Sequence, residues 1–210
     1  MSAPPKTVLT ASPEEEAAIR AAVREARGLD ALGGHRKLVG VGDAPALRDF
    51  FDDPAISDWI YDLPKPFTIE NTGAWIEERR ARHARGECLL SAILDAEGAI
   101  ISYTDVTVWP TCASAELAGA MRADRQNSGQ GSANVIATFD WIFEVLGARL
   151  MCLTAALDNV RSQKMIDNAG FTRMGERDGA RPDGTVRRSV YWEMTREQWR
   201  AKWGGKISAG

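Results

Sequence analysis

The sequence is poor in the residues that carry metal and disulfide chemistry. Two histidines, His35 and His83, and three cysteines, Cys88, Cys112 and Cys152, are spread over 210 residues. Neither histidine has a neighbour at ligand spacing, so no structural metal site is expected. The cysteines are odd in number, far apart and without a CxxC pair. Cys88 and Cys152 fall in apolar strand-like runs and Cys112 follows a Trp-Pro turn, which is the pattern of reduced structural thiols in a cytoplasmic protein. No apolar run approaches the roughly eighteen residues of a membrane span. Residues 1–10 lack the basic and apolar stretches of a signal peptide, so a cytoplasmic location is expected. A net charge of −3 supplies no broad basic field, which argues against a primary nucleic-acid role. There is no internal repeat and no low-complexity tract.

What is present is an ordinary globular composition, 44% hydrophobic and 26% charged. This length buries a sizeable core without covalent or metal staples. Ser12, Pro13 and Glu15 open a helix as N-cap, N1 and capping-box partner. The helix that follows, over 14–27, has a thin apolar stripe of Ala17, Ile19, Ala22, Val23 and Ala26. That stripe is expected to pack on a neighbouring element or a second subunit, a candidate homodimer contact. Gly33 and Gly34 then break the chain and divide it into an N-terminal helical extension, 1–34, and a main domain, 35–210.

In the main domain, 35–42 reads as a strand and 43–51 as a helix capped by Asp43. Residues 54–66 form an aromatic-rich connection carrying Trp59 and Tyr61, and a second helix runs over 70–85 with Trp75, Ile76 and Arg79 on one face. Its Arg79, Arg80, Arg82 and Arg85 read as a solvated face or as a contact for an acidic partner. A hairpin follows, 88–94 and 99–109 around the turn 95–98. Next come a strand over 115–122, a helix over 132–146 closed by Gly147, a strand over 149–155, and a helix over 159–168 ending at Gly170. Two more strands surround the loop 178–184, and Thr195 opens a last helix. The order predicts a mixed α/β domain.

The segment Gln126, Asn127, Ser128, Gly129, Gln130 and Gly131 joins a strand to the helix expected from Ser132. Two close glycines let main-chain N–H groups approach a ligand, and the helix start adds its unpaired donors and positive dipole end. Together they suit a pyrophosphate. A Walker loop fails, because the segment has Gly131-Ser-Ala in place of Gly-Lys-Ser/Thr. A dinucleotide fingerprint is weak, because Asn134 stands at the third glycine and Asp158 follows the next strand. A glycine turn before an ordinary helix remains an alternative on the loop alone.

The pattern Gln/Arg-x-x-Gly-x-Gly/Ala resembles the coenzyme A pyrophosphate loop of the GNAT N-acetyltransferases. Asp158-Asn159-Val-Arg-Ser162 and Gly170-Phe171 stand at that family's separations. The likeness narrows to the branch of the ribosomal-protein alanine acetyltransferases (RimJ/RimL-like). It rests there on Asp53-Pro54, Leu63-Pro-Lys-Pro-Phe-Thr, Ala115-Glu-Leu and the closing Tyr191-Trp-Glu-Met-Thr-Arg-Glu-Gln-Trp199, and covers about 37–199. The helix before Gly33 lies outside it. The resemblance implies an α+β GNAT fold, a mixed, mostly antiparallel sheet of about seven strands flanked by helices and splayed between strands four and five.

It also implies direct transfer of acetyl from acetyl-CoA to a primary amine, either a protein N-terminus or a small molecule, with no metal. The residues implied for coenzyme A are Met121 and Arg122 at the end of the fourth strand, Gln126 to Ser132, Asn159 and Ser162. Glu116 is the candidate general base, or else the partner of an arginine on a neighbouring strand. Many relatives carry a tyrosine acid where this chain has Ile166, which leaves Ser162 to support the sulfur, or simply to cap or pack. Trp59 and Tyr61 are candidates to stack on the acceptor, or members of the core. An α-amine, with a pKa of about 8, needs less help to lose its proton than a lysine near 10.4. Two other readings remain open at this point: a non-catalytic acyl-CoA-binding module, and a dinucleotide-dependent oxidoreductase supported only by Gly129-x-Gly131.

Overall fold

The computed structural model describes residues 4–33, 35–125, 130–182 and 184–204, with the side chains of 130–133 outside it. Seven strands form one sheet: β1 (Arg36–Leu38), β2 (Cys88–Leu94), β3 (Ile100–Trp109), β4 (Ser114–Met121), β5 (Leu150–Ala156), β6 (Thr172–Ala180) and β7 (Val186–Thr195). Their spatial order is β1-β2-β3-β4-β5-β7-β6. Every pairing is antiparallel except β4 with β5, which is parallel. The helices are α1 (Pro13–Arg24), α2 (Ala44–Phe51), α3 (Pro54–Ser57), α4 (Ile69–Ala84), α5 (Gln130–Glu144), α6 (Val160–Ala169) and α7 (Arg196–Trp203).

Local signals set most of these boundaries. Ser12 accepts from the Glu15 N–H while the Glu15 carboxylate accepts from the Ser12 N–H, the reciprocal capping box expected. Thr195 and Gln198 form a second one at α7. Gly170 closes α6 at φ 96°, a left-handed cap that costs glycine little.

The α2 start differs from expectation. Asp43 is the N-cap residue but makes no side-chain cap bond. Its carboxylate is drawn back to the Lys37 ammonium and the Gly40 N–H instead. Helix α5 begins at Gln130 rather than Ser132, so Gly131 belongs to its first turn.

Two cores cover the two faces of the sheet. On one, α1, α5, α6 and α7 pack Val23, Phe139, Phe143, Ile166 and Trp199 over Leu89, Val106, Met151 and Trp192. On the other, α2 and α4 pack Phe50, Phe51 and Ile76 over Leu90, Ala92 and Tyr103. Ile19, Ala22 and Val23 lie inside the first core with Ala26 packed against it, while Ala17 of the same stripe is exposed.

The α2/α4 layer covers only the β1–β3 half of its face. Beyond it the same face carries polar residues, because strand alternation brings Glu116, Thr154, Arg187, Ser189 and Glu193 to one side. Residues 4–7 and the 54–63 connection lie over this half. The Lys6 N–H donates to Tyr191, and the Thr7 N–H and hydroxyl donate to Glu193. Among the described residues no helix is long and apolar enough to cross a membrane.

Candidate active site

β4 and β5 pair only where Ser114, Ala115 and Glu116 face Leu150, Met151 and Cys152. Past Glu116 the strands separate. β4 continues to Met121 on β3 alone, while β5 continues to Ala156 on β7. The wedge between them holds a cavity of about 760 Å³. Glu116, 7% exposed, stands at its apex. The Arg122 N–H donates to the Ile101 carbonyl, which fixes the alternation of the antiparallel pair. By that alternation the main-chain groups of Gly119 point away from β3 and into the wedge.

One wall belongs to α5 and α6. Asn159 caps α6, its Oδ1 accepting from the Ser162 N–H at 3.1 Å. Ser162 and Ile166 line the cavity from successive turns, with Ile166 buried. Met121 lines it from the end of β4. The Arg122 side chain turns toward the β2–β3 turn, paired with Asp95 at 3.3 Å and Asp124 at 2.7 Å. Gln126, Asn127, Ser128 and Gly129 lie outside the described residues, as do the side chains of Gln130, Gly131 and Ser132.

The other wall comes from the 54–63 connection and the polar sheet face. Trp59 is 40% exposed beside the cavity. Tyr61 is held by the protein itself: the Arg187 guanidinium lies 4.6 Å from its ring centroid. A Cβ added at Gly179 would come within 3.3 Å of that ring. Arg187 donates to the Trp59 carbonyl at 2.7 Å, Thr154 Oγ1 at 3.0 Å and Ser189 Oγ at 2.9 Å. Thr154 in turn donates to Glu116 Oε1 at 3.5 Å. Burial pulls the Arg187 guanidinium below its ordinary value, against the pull of Tyr61 and Glu116.

Deeper in this wall sits a buried charge cluster. Arg79 pairs with Asp62 at 2.8 Å, with Asp105 at 3.1 Å and with Glu78, and lies 4.4 Å from the Trp75 ring centroid. Cys88 donates its S–H to Asp105 at 3.2 Å. Burial opposes the Arg79 charge, yet Asp105 and Asp62 outweigh it and raise the guanidinium above its usual value. Burial raises Asp62 despite Arg79. Arg79 is therefore not part of the solvated arginine face expected of α4. Only local spacing was visible in the sequence, while its partners lie 17 residues before it and 26 after it.

Sequence reasoning singled out neither Asp62, Asp105 nor Arg187. The signal for Arg187 was the period-two run Arg187, Ser189, Tyr191, Glu193, a polar face on a strand whose other face is apolar core. Among the described residues no three His, Cys, Asp or Glu side chains converge as a metal site would require.

The chain resembles several acetyltransferases of known structure. The ribosomal-protein-S5-alanine acetyltransferase of Vibrio fischeri shares 17% identity, with 80% of this chain and 96% of that one covered at a TM-score of 0.65. RimJ of Mycobacterium smegmatis, solved with CoA-disulfide, shares 17%, covering 78% and 82% at 0.65. A spermidine N-acetyltransferase variant from Vibrio cholerae shares 14%, covering 80% and 98% at 0.63. At these identities the likeness is one of fold. Among curated proteins no sequence match was found. Residues 36–172 match the model of the Acetyltransferase (GNAT) domain. The chain belongs to the GNAT acetyltransferase family and is an acyltransferase.

Proposed function

We propose that this enzyme moves an acetyl group from acetyl-CoA directly onto a primary amine, a protein N-terminus or a small molecule, in the cytoplasm. The observation that carries this reading is the separation of β4 from β5 immediately after Glu116. It leaves a strand edge with main-chain groups facing the wedge, a surface that a pantetheine arm can extend with paired hydrogen bonds. The lining supports it: Met121 stands on that edge, and Asn134 of α5 lines the cavity together with Asn159 and Ser162. Gln126 to Ser132, leading into a helix start that favours anions, are the candidates for the pyrophosphate, and Met121 and Arg122 at the end of β4 are those for the pantetheine arm. Acetyl-CoA supplies an acyl group activated as a thioester.

The chain's own tasks are proton transfer and orientation. Glu116 takes a proton from the ammonium and passes it to solvent. The amine nitrogen then forms the C–N bond as the C–S bond breaks, its second proton passing by way of Glu116 and solvent to the thiolate that leaves beside Ser162, where Ile166 offers no acid. The acceptor enters past Trp59, over the wall that carries Asp62 and Asp105. Two structural relatives are named for a protein alanine amine and for spermidine, and both acceptor kinds belong in the first panel. Glu116→Gln is expected to lower kcat by about a hundredfold or more while leaving coenzyme A affinity within about twofold. An unchanged kcat would remove Glu116 from the reaction.

A further inference from the structure

Arg187 is an unusual guest on β7. It is 7% exposed, and all three of its hydrogen bonds go to neutral oxygens: a serine hydroxyl, a threonine hydroxyl and a main-chain carbonyl. A guanidinium is costly to bury, and a well-packed apolar residue would stabilise the sheet at least as well. What the arginine provides is connection. Its Nη1 reaches the Trp59 carbonyl, its face lies over Tyr61, and its Nη2 reaches the hydroxyl that donates to Glu116. The main cavity and a smaller one of about 70 Å³ behind it share Tyr61, Glu116, Thr154 and Arg187 in their walls.

We propose that Arg187 is the positioning residue of the acceptor half, clamping the 54–63 connection to the sheet and holding the Glu116 carboxylate charged and oriented through Thr154. This rests on the acetyl-transfer reading and deepens it. One side chain thereby ties the wall that receives the amine to the group that deprotonates it. A connection displaced from the sheet loses both the amine's seat and the base's counter-charge.

The other groups facing Glu116 are Thr107 on β3, Cys152 on β5, Tyr61 in the connection, and Arg177 and Asp178 on β6 around the smaller cavity. Burial and Glu116 together push the Cys152 thiol well up, so it stays neutral. Arg177 and Asp178 are of opposite sign. Arg82 reaches Thr107 from α4, while Arg187 is the buried arginine bonded to the hydroxyl that donates to Glu116. The two links through Thr154, 3.0 and 3.5 Å, limit its separation from Glu116 to no more than their sum. At that range the positive charge of Arg187 favours the ionised carboxylate.

The test uses the full chain with acetyl-CoA and the best amine from the panel. Arg187→Met is expected to move the acid limb of the kcat/KM profile up by about one pH unit. It should also raise the amine KM about tenfold, with the Kd for coenzyme A kept within about twofold. Arg187→Lys keeps the charge and loses the three-way fork, so the limb stays near its wild-type position while the amine KM still rises. Thr154→Val removes the hydroxyl between Arg187 and Glu116 but leaves the Arg187 bonds to the Trp59 carbonyl and Ser189, so it should lower kcat with the amine KM kept within about twofold. If Arg187→Met fails to fold, the lysine and valine variants carry the same split.

An acid limb and an amine KM both unmoved in folded, CoA-binding Arg187→Met would overturn the proposal. So would a KM effect shared equally by Thr154→Val. Failure of the base reading shows separately, as an acid limb that persists in Glu116→Gln. The amine KM then still decides whether Arg187 clamps the connection.

Discussion

The free edge of β4 is tested most sharply at Gly119. A Cβ built there would lie 2.8 Å from the Tyr103 carbonyl oxygen and 3.6 Å from the Thr104 Cα, both main-chain atoms of β3. Carbon and oxygen in ordinary contact need about 0.5 Å more, and no flexible side chain is present to give way. In Gly119→Ala the strand must therefore move from β3 toward the wedge. Overpacking of this kind costs about 1–3 kcal/mol, and the better strand backbone of alanine returns about 0.5–1 kcal/mol. The net loss, about 1 kcal/mol at the middle of these ranges, corresponds to a fall in Tm of roughly 2–4 °C for a chain of this size. The displaced main-chain groups would also misalign with a bound pantetheine. Losing about 1 kcal/mol or slightly more weakens coenzyme A about tenfold. Thermal melting and titration calorimetry with coenzyme A read the two effects. Gly42→Ala, with nothing within 4 Å of its Cβ, is the control. A Gly119→Ala protein that melts lower but binds coenzyme A like wild type would refute the β4 edge as the pantetheine site.

Arg79→Met leaves Asp62 and Asp105 buried without their guanidinium. Urea unfolding should show a loss of about 3–5 kcal/mol, and a loss below about 1 kcal/mol would mean the cluster does not hold α4 to the sheet. Glu193 is buried, and although burial raises its pKa, bonds from Thr7 and Tyr191 outweigh that and bring it below the ordinary 4.5. A lowered folded value stabilises fully above the unfolded pKa and is lost as pH falls through the folded value. Urea midpoints measured from about pH 6 down to about pH 3 should therefore fall less steeply for Glu193→Gln than for wild type, and parallel curves would contradict the assignment. Deleting residues 1–7 removes the two Thr7 bonds but keeps that of Tyr191, and should flatten the acid limb of stability in part.

Much of the frame was legible because its signals are local. Ser12 with Glu15, Gly147, Asn159 and Gly170 each mark an end within one helical turn, and the β2–β3 turn is bounded by its own residues. The splay of the sheet came from the family resemblance, and the short β4–β5 register agrees with it. What could not be read was set by distant partners. Asp43 looked like an N-cap until Lys37 and Gly40 claimed its carboxylate. Arg79 shared its spacing with Arg80 and Arg82, and only tertiary packing separates the buried one from its neighbours. At Glu116 the alternatives of base and arginine partner are not exclusive in this structure, because Arg187 stands one hydroxyl away. Tyr61, offered as a stacking surface for substrate, has Arg187 and the backbone at Gly179 against its ring.

The central claim is that acetyl leaves coenzyme A in the β4–β5 wedge for an amine deprotonated at Glu116. Its most direct measurement follows thiol release and N-acetyl product together, by absorbance and mass spectrometry, over a panel of peptide N-termini and small amines. The account predicts equal amounts of thiol and N-acetyl amine, lost about a hundredfold in Glu116→Gln at unchanged coenzyme A affinity. Coenzyme A binding without N-acetyl product on any amine, or full turnover by Glu116→Gln, would contradict it.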